Sequence, residues 1–160
     1  MNLTNLQSDN IPNYEINSDW GKSYIWQWKG HNCHWRVLGS SSSNPIVLIH
    51  GFGASSSHWR KNAFALAQKG FCVYAIDLLG FGQSSQPFHT KECQLDNLLW
   101  SQQLEDFLEK IVQTHKNGKA FLVGNSLGSL VGLTTLVFRR DLVAGLAGAP
   151  LPDPAFMQSI

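Results

Sequence analysis

The rhythm of hydrophobic and polar positions changes several times along the chain. Residues 1–23 are polar and aperiodic and read as an arm or loose cover. From Tyr24 two short aromatic and β-branched runs, Tyr24–Trp28 and Cys33–Leu38, flank a Lys29-Gly30-His31-Asn32 turn and predict a β-hairpin. A serine-rich link at 39–43 leads to Ile46–Ile49, a continuous apolar run of the kind made by a strand buried on both faces. Ser55 to Lys69 predicts a helix with Trp59, Ala63, Phe64 and Ala67 on one face and Gly70 as its stop. Phe71–Ile76 is a second buried strand, and it ends at Asp77. A glycine-rich loop follows. Leu95, Leu98, Leu99, Phe107, Leu108, Ile111 and Val112 then predict a long amphipathic helix over 93–114. A third buried strand at 119–123 runs into a small-residue helix ending near Phe138, and Leu142–Ala149 is a fourth. Strands alternating with helices predict an α/β fold: a mostly parallel sheet covered on both faces, with an N-terminal antiparallel hairpin.

Composition narrows the functional classes. Of 160 residues, 43% are hydrophobic, enough for one core, which excludes wholesale disorder. Twelve Lys and Arg against eleven Asp and Glu leave a net charge of +1, so nucleic acid and anionic membranes gain no electrostatic support as partners. Cys33, Cys72 and Cys93 are too few and scattered for a disulfide framework or a zinc site, and they fit a reduced compartment. No apolar run approaches the ~18 residues of a membrane span, and no signal peptide is visible. A cytoplasmic location is expected, with no metal and no cofactor.

The candidate chemistry lies at the strand ends. Gly124-Asn125-Ser126-Leu127-Gly128 has the pattern Gly-x-Ser-x-Gly between a buried strand and a helix, the setting of a nucleophile elbow. Small residues at Gly124 and Gly128 let the turn close while Ser126 takes a strained conformation that presents its hydroxyl. The backbone N–H of Leu127, at the helix start, is the first expected oxyanion donor, a contact worth roughly 3–4 kcal/mol in other enzymes. His50-Gly51-Phe52-Gly53 follows the first buried strand, and there the backbone of Phe52 is the second expected donor, with Gly51 and Gly53 allowing the turn. His50 reads as a loop-fixing hydrogen-bond partner in preference to a base. Asp77 and Ser84 read as hydrogen-bonding within the glycine-rich loop, in preference to a catalytic Asp77. The aromatic stretch at 20–35 reads as hairpin packing.

Three stretches then carry a resemblance: residues 50–62, 73–84 (Val-Tyr-Ala-Ile-Asp-Leu-Leu-Gly-Phe-Gly-Gln-Ser) and 122–130. Together they resemble the α/β-hydrolase superfamily, and within it the cyanobacterial and chloroplast branch that includes pheophytinase, which removes phytol from pheophytin by ester hydrolysis. The resemblance implies a serine hydrolase with Ser126 as nucleophile and a small-molecule ester as substrate, an apolar one being in keeping with that branch. A relative with Asp at the nucleophile position would be a dehalogenase, and Ser126 argues against that.

A serine hydroxyl needs a base, and the base needs an acid to orient it. In this fold the order is Ser, then Asp or Glu, then His. Residues 127–160 hold Asp141 and Asp153 and no His, and all six His precede Ser126. Asp153 is retained as a candidate acid, although a Pro-Asp-Pro turn explains it without chemistry. Residues 24–154 therefore resemble the N-terminal half of a hydrolase domain, with 155–160 as the start of a lid and C-terminal half. Weak or absent activity of this chain is expected, and the 142–149 strand is expected to form an apolar sheet edge open to self-association. Two other readings stand beside this one. One is a non-catalytic interaction module derived from a hydrolase. The other is a dinucleotide-binding domain built on Gly51-x-Gly53-x-x-Ser56 and Asp77, disfavoured by Ser56 in the third glycine place and by the preceding hairpin.

Overall fold

The computed structural model describes residues 20–88 and 94–149. Six strands form one sheet: β1 (Lys22–Trp28), β2 (His31–Leu38), β3 (Asn44–Ile49), β4 (Phe71–Ile76), β5 (Ala120–Asn125) and β6 (Val143–Ala149). Their order across the sheet is β1-β2-β4-β3-β5-β6. The β1–β2 hairpin is antiparallel, β2 runs antiparallel to β4, and β4, β3, β5 and β6 are mutually parallel. The fold is α/β, a mostly parallel sheet with an N-terminal antiparallel hairpin, as the alternation of runs predicts. Lys29 and Gly30, both at positive φ, make the hairpin turn.

The sheet divides the core into two layers. Val47, Ile49, Tyr74, Ile76 and Leu122 face Trp100, Leu104, Phe107, Leu127 and Val131. Those last residues belong to helices α2 (Asn97–Phe107) and α4 (Leu127–Phe138). Ile46, Leu48, Val73 and Ala75, at the alternate positions, pack on the other face with Trp20, Trp59 and Ala63, the last from α1 (Arg60–Gln68). Alternation at period two therefore accounts for unbroken apolar runs: both sets of side chains are buried.

The helices differ from expectation in detail. A 3₁₀ turn over Ser56–Trp59 precedes α1, so the regular helix starts at Arg60 instead of Ser55. Phe64, expected on the buried face, is 50% exposed, because consecutive helical residues lie about 100° apart and Ala63 holds the inward position. The long helix predicted over 93–114 begins at Asn97, where the Asp96 side chain accepts from the Leu99 N–H at 2.8 Å. Leu98 is 57% exposed beside that cap. After Phe107 the chain widens into a π-helical turn, Leu108–Val112, and Gln113 at φ 55° ends it. A four-residue helix, α3 (Thr114–Asn117), leads into β5. In the stretch read as a polar arm, residues 1–19 lie outside the described part. Trp20 is buried, however, with its Nε1 donating to the Ser56 carbonyl at 3.2 Å, and β1 already starts at Lys22.

Candidate active site

Ser126 joins β5 to α4 at φ 50° and ψ −114°. A non-glycine residue there is strained by contact of its Cβ with the backbone, and the surroundings must hold it in place. Three glycines supply the room. A Cβ on Gly124 would lie 2.5 Å from the backbone of Gly128 and Ser129, and one on Gly128 would lie 2.6 Å from the His50 carbonyl oxygen. A Cβ on Gly51 would lie 2.8 Å from Asn125 Oδ1 and 3.4 Å from Ser126 Cβ. The backbone of the loop after β3 thus runs against the serine itself. Gly53, at φ 69°, bends that loop back, and the Ala54 N–H donates to the Gly51 carbonyl at 3.2 Å. Leu127 opens α4, so its N–H is among those the helix leaves without an intrahelical acceptor. Phe52 lies one residue beyond Gly51, its ring 55% exposed and edge-on to Phe81 at 5.2 Å.

The end of β6 braces the elbow. The Ala149 carbonyl accepts from the Ser126 N–H at 3.3 Å and from Asn125 Nδ2 at 3.0 Å, while the Ala149 N–H donates to Ser129 Oγ at 3.1 Å. Asp153 lies outside the described residues. Asp141, at the other end of β6, is exposed and paired with Arg139 at 2.8 Å.

His50 and Asp77 are both committed to architecture. The fully buried His50 donates from Nδ1 to the Gly51 carbonyl at 2.7 Å and accepts the Leu78 N–H on Nε2 at 3.0 Å. Burial holds its pKa below the ordinary imidazole value. With both ring nitrogens engaged, it has no lone pair for a substrate proton. Asp77 accepts from the Ser56 N–H at 2.5 Å, the Gln83 N–H at 2.9 Å and His34 Nδ1 at 2.9 Å. Burial alone would push this carboxyl up. Hydrogen bonds from His34, Gln83 and Ser56, with the neighbouring imidazole, outweigh it and bring the pKa down to about 2. Ser84 Oγ donates to the Asp77 carbonyl at 2.6 Å, closing the loop as expected. A Cβ on Gly82 would lie 2.5 Å from Asp77 Cγ, so only glycine lets the loop wrap the carboxylate. An acid whose oxygens are occupied and whose side chain is 1% exposed has nothing to offer a ribose, which removes the structural basis of the dinucleotide reading.

One constellation has no contiguous motif in the sequence. Ser23 Oγ lies 2.5 Å from His34 Nε2, and His34 Nδ1 faces Asp77, giving a Ser–His–Asp chain across β1, β2 and the end of β4. Acceptance by Asp77 fixes the proton on Nδ1, so Nε2 receives the Ser23 hydroxyl proton. Ser23 and His34 are 0% exposed, so no substrate reaches them. The chain ties the hairpin to the loop that carries the candidate oxyanion donor. Its one sequence signal is that His34 and Arg36 alternate with Cys33 and Trp35 and must face the layer opposite the aromatic residues. Among the described residues, no side chain holds the Ser126 hydroxyl.

The chain belongs to the alpha/beta hydrolase fold family, which it matches over residues 44–157. It is 33% identical over 116 residues to the 2-hydroxy-6-oxo-6-(2'-aminophenyl)hexa-2,4-dienoic acid hydrolase of Metapseudomonas resinovorans, covering 69% of this chain and 37% of that protein. It is 35% identical over 135 residues to bifunctional epoxide hydrolase 2 of Mus musculus, covering 84% of this chain and 23% of the relative. Among solved structures it is similar to potato (Solanum tuberosum) epoxide hydrolase I, with TM-score 0.71 and 27% identity over 79% of this chain and 38% of that one. A thioesterase domain from the curacin biosynthetic pathway superposes with TM-score 0.73 at 23% identity, covering 86% of this chain and 50% of that one, a likeness of fold. The chain spans well under half the length of the two curated relatives, 37% and 23%. No helix among the described residues is long and apolar enough to cross a membrane.

Proposed function

We propose that this chain carries the nucleophile and oxyanion part of a serine hydrolase acting on carboxylic esters, with Ser126 as nucleophile and the backbone N–H groups of Phe52 and Leu127 as oxyanion donors. The observation that carries the reading is Ser126 at φ 50° between β5 and α4, packed against the Gly51 backbone. In this reading the Ser126 oxygen attacks the ester carbonyl, the alkoxide is expelled with a proton, and water releases the acid from the acyl-enzyme. The related hydrolases bear names of several activities, so the substrate rests on the site. Exposed Phe52 and neighbouring Phe81 favour an apolar ester, in keeping with the pheophytinase-like motifs. Buried, unpaired Cys33 and Cys72 accord with a cytoplasmic setting.

The 160-residue chain is further proposed to turn esters over weakly or not at all. No His follows Ser126, and His34 and His50 are engaged elsewhere. A preorganised oxyanion site retains some reactivity without a base. A fluorophosphonate probe followed by peptide mass spectrometry is expected to label Ser126 slowly and Ser23 not at all, with Ser126→Ala abolishing the label. Absence of label on Ser126 overturns the nucleophile assignment, and full turnover of an aryl ester by this chain overturns the claim of weak activity.

A second reading, a non-catalytic interaction module, is favoured by one observation. β6 is the outer strand of the described sheet, and Leu133, Val137 and Phe138 of the adjoining α4 are exposed. Such an edge accommodates a second strand, including one from another copy.

A further inference from the structure

The parallel strands have two ends. The elbow lies where β3 and β5 finish, next to His50 and Ser126. At the other end, where β4 begins, the sheet leaves a hollow of about 490 Å³ between the hairpin, the start of β4 and the π-helical turn at Ile111. Its size falls within the range of small-molecule sites.

The wall of the hollow is aromatic and flat. Tyr24 stacks on Trp35 at 4.8 Å and 28°, and Tyr74 lies at 30° to the same indole, 6.1 Å away. Trp35 is more than nine-tenths buried, and its Nε1 is a buried donor with no hydrogen-bond partner. In the same layer Trp28 Nε1 donates to Asp106 and Trp100 Nε1 to the Leu79 carbonyl, whereas Trp59 Nε1 on the other face of the sheet is, like that of Trp35, without a partner. The single charged side chain lining the hollow is Lys22, exposed at its rim, and among the described residues it forms no ion pair. Burial pushes both Cys72 and Tyr74 up, so thiol and phenol stay neutral and add no negative charge. Among the described residues the hollow therefore offers an aromatic wall and one cation outside any ion pair, and no anion lines it.

We propose that this hollow binds a planar aromatic carboxylate, its ring extending the Tyr24–Trp35 stack and its carboxylate drawing on Lys22 at the rim. The site is independent of Ser126 and of any hydrolysis there. Binding is non-covalent, since a buried neutral thiol is a poor nucleophile.

Proton–nitrogen correlation NMR of the full chain, titrated with naphthoate and in parallel with naphthalenemethanol, tests this. Naphthoate is expected to shift the Trp35 indole resonance saturably. Lys22→Ala, at an exposed position that leaves the fold intact, is expected to weaken naphthoate two- to five-fold, the range for a solvent-exposed ion pair, and to leave the alcohol unchanged. No saturable Trp35 shift, equal affinity for the alcohol, or indifference to Lys22→Ala each overturns the proposal. So does a response confined to residues around Ser126.

Discussion

Ser126 and Asp77 are the two residues whose local energetics decide most about the site, and they work in opposite senses. Ser126 is held in a conformation costing about 1–3 kcal/mol for a residue with a Cβ. Ser126→Gly relieves that strain, partly offset by the greater freedom of glycine in the unfolded chain, and is expected to stabilise the protein by about 1 kcal/mol in urea unfolding. Ser126→Ala should leave stability close to that of the parent, and equal stability of the two variants would remove the strain argument. Asp77 stabilises the fold by being ionised. Its folded pKa, about 2, lies below the ordinary 3.8, so its contribution is complete above about pH 4 and is lost as pH falls toward 2. Converted at the standard rate the difference is about 2 kcal/mol. The stability gap between the parent and Asp77→Asn should narrow over that interval, and a gap constant from neutral pH to pH 2 would contradict the assignment.

At the scale of elements, Asp96 is a clear test of local design. It is the one acidic cap of α2, and Asp96→Ala should cost about 1 kcal/mol in thermal unfolding with no change in labelling of Ser126. Elements also show what the sequence made legible. The strand runs at 46–49 and 71–76 were readable because burial on both faces leaves an apolar signature that needs no partner to interpret. The strand–serine–helix turn at Ser126 was readable because its three parts are contiguous. Periodicity gives the centre of a helical stripe and not its margins, so Phe64 and Leu98 were placed inside and lie outside. The Ser23–His34–Asp77 chain spans three elements and 43 residues between its last two members, and no local pattern announces it. Nor does a sequence show that Trp35 and Trp59 bury indole N–H groups without an acceptor.

For the molecule as a whole, the sheet is asymmetric. One margin is the hairpin, whose tryptophans lie under α2. The other, among the described residues, is β6, with Ala147–Ala149 exposed and Val137 and Phe138 at 59% and 64% exposure on the adjoining helix. An apolar edge of this kind favours association. Sedimentation velocity should show a weight-average coefficient rising with concentration, and Val137→Lys should flatten that rise. A concentration-independent monomer would rule out the edge as a contact surface.

The fastening of β6 to the elbow gives that margin a second meaning. Ala149 touches Ser126, Asn125 and Ser129 at once through its two backbone groups. The posture of Ser126 is thus mechanically in series with the outermost strand of the described sheet, so a load that displaces this strand acts on the same three hydrogen bonds.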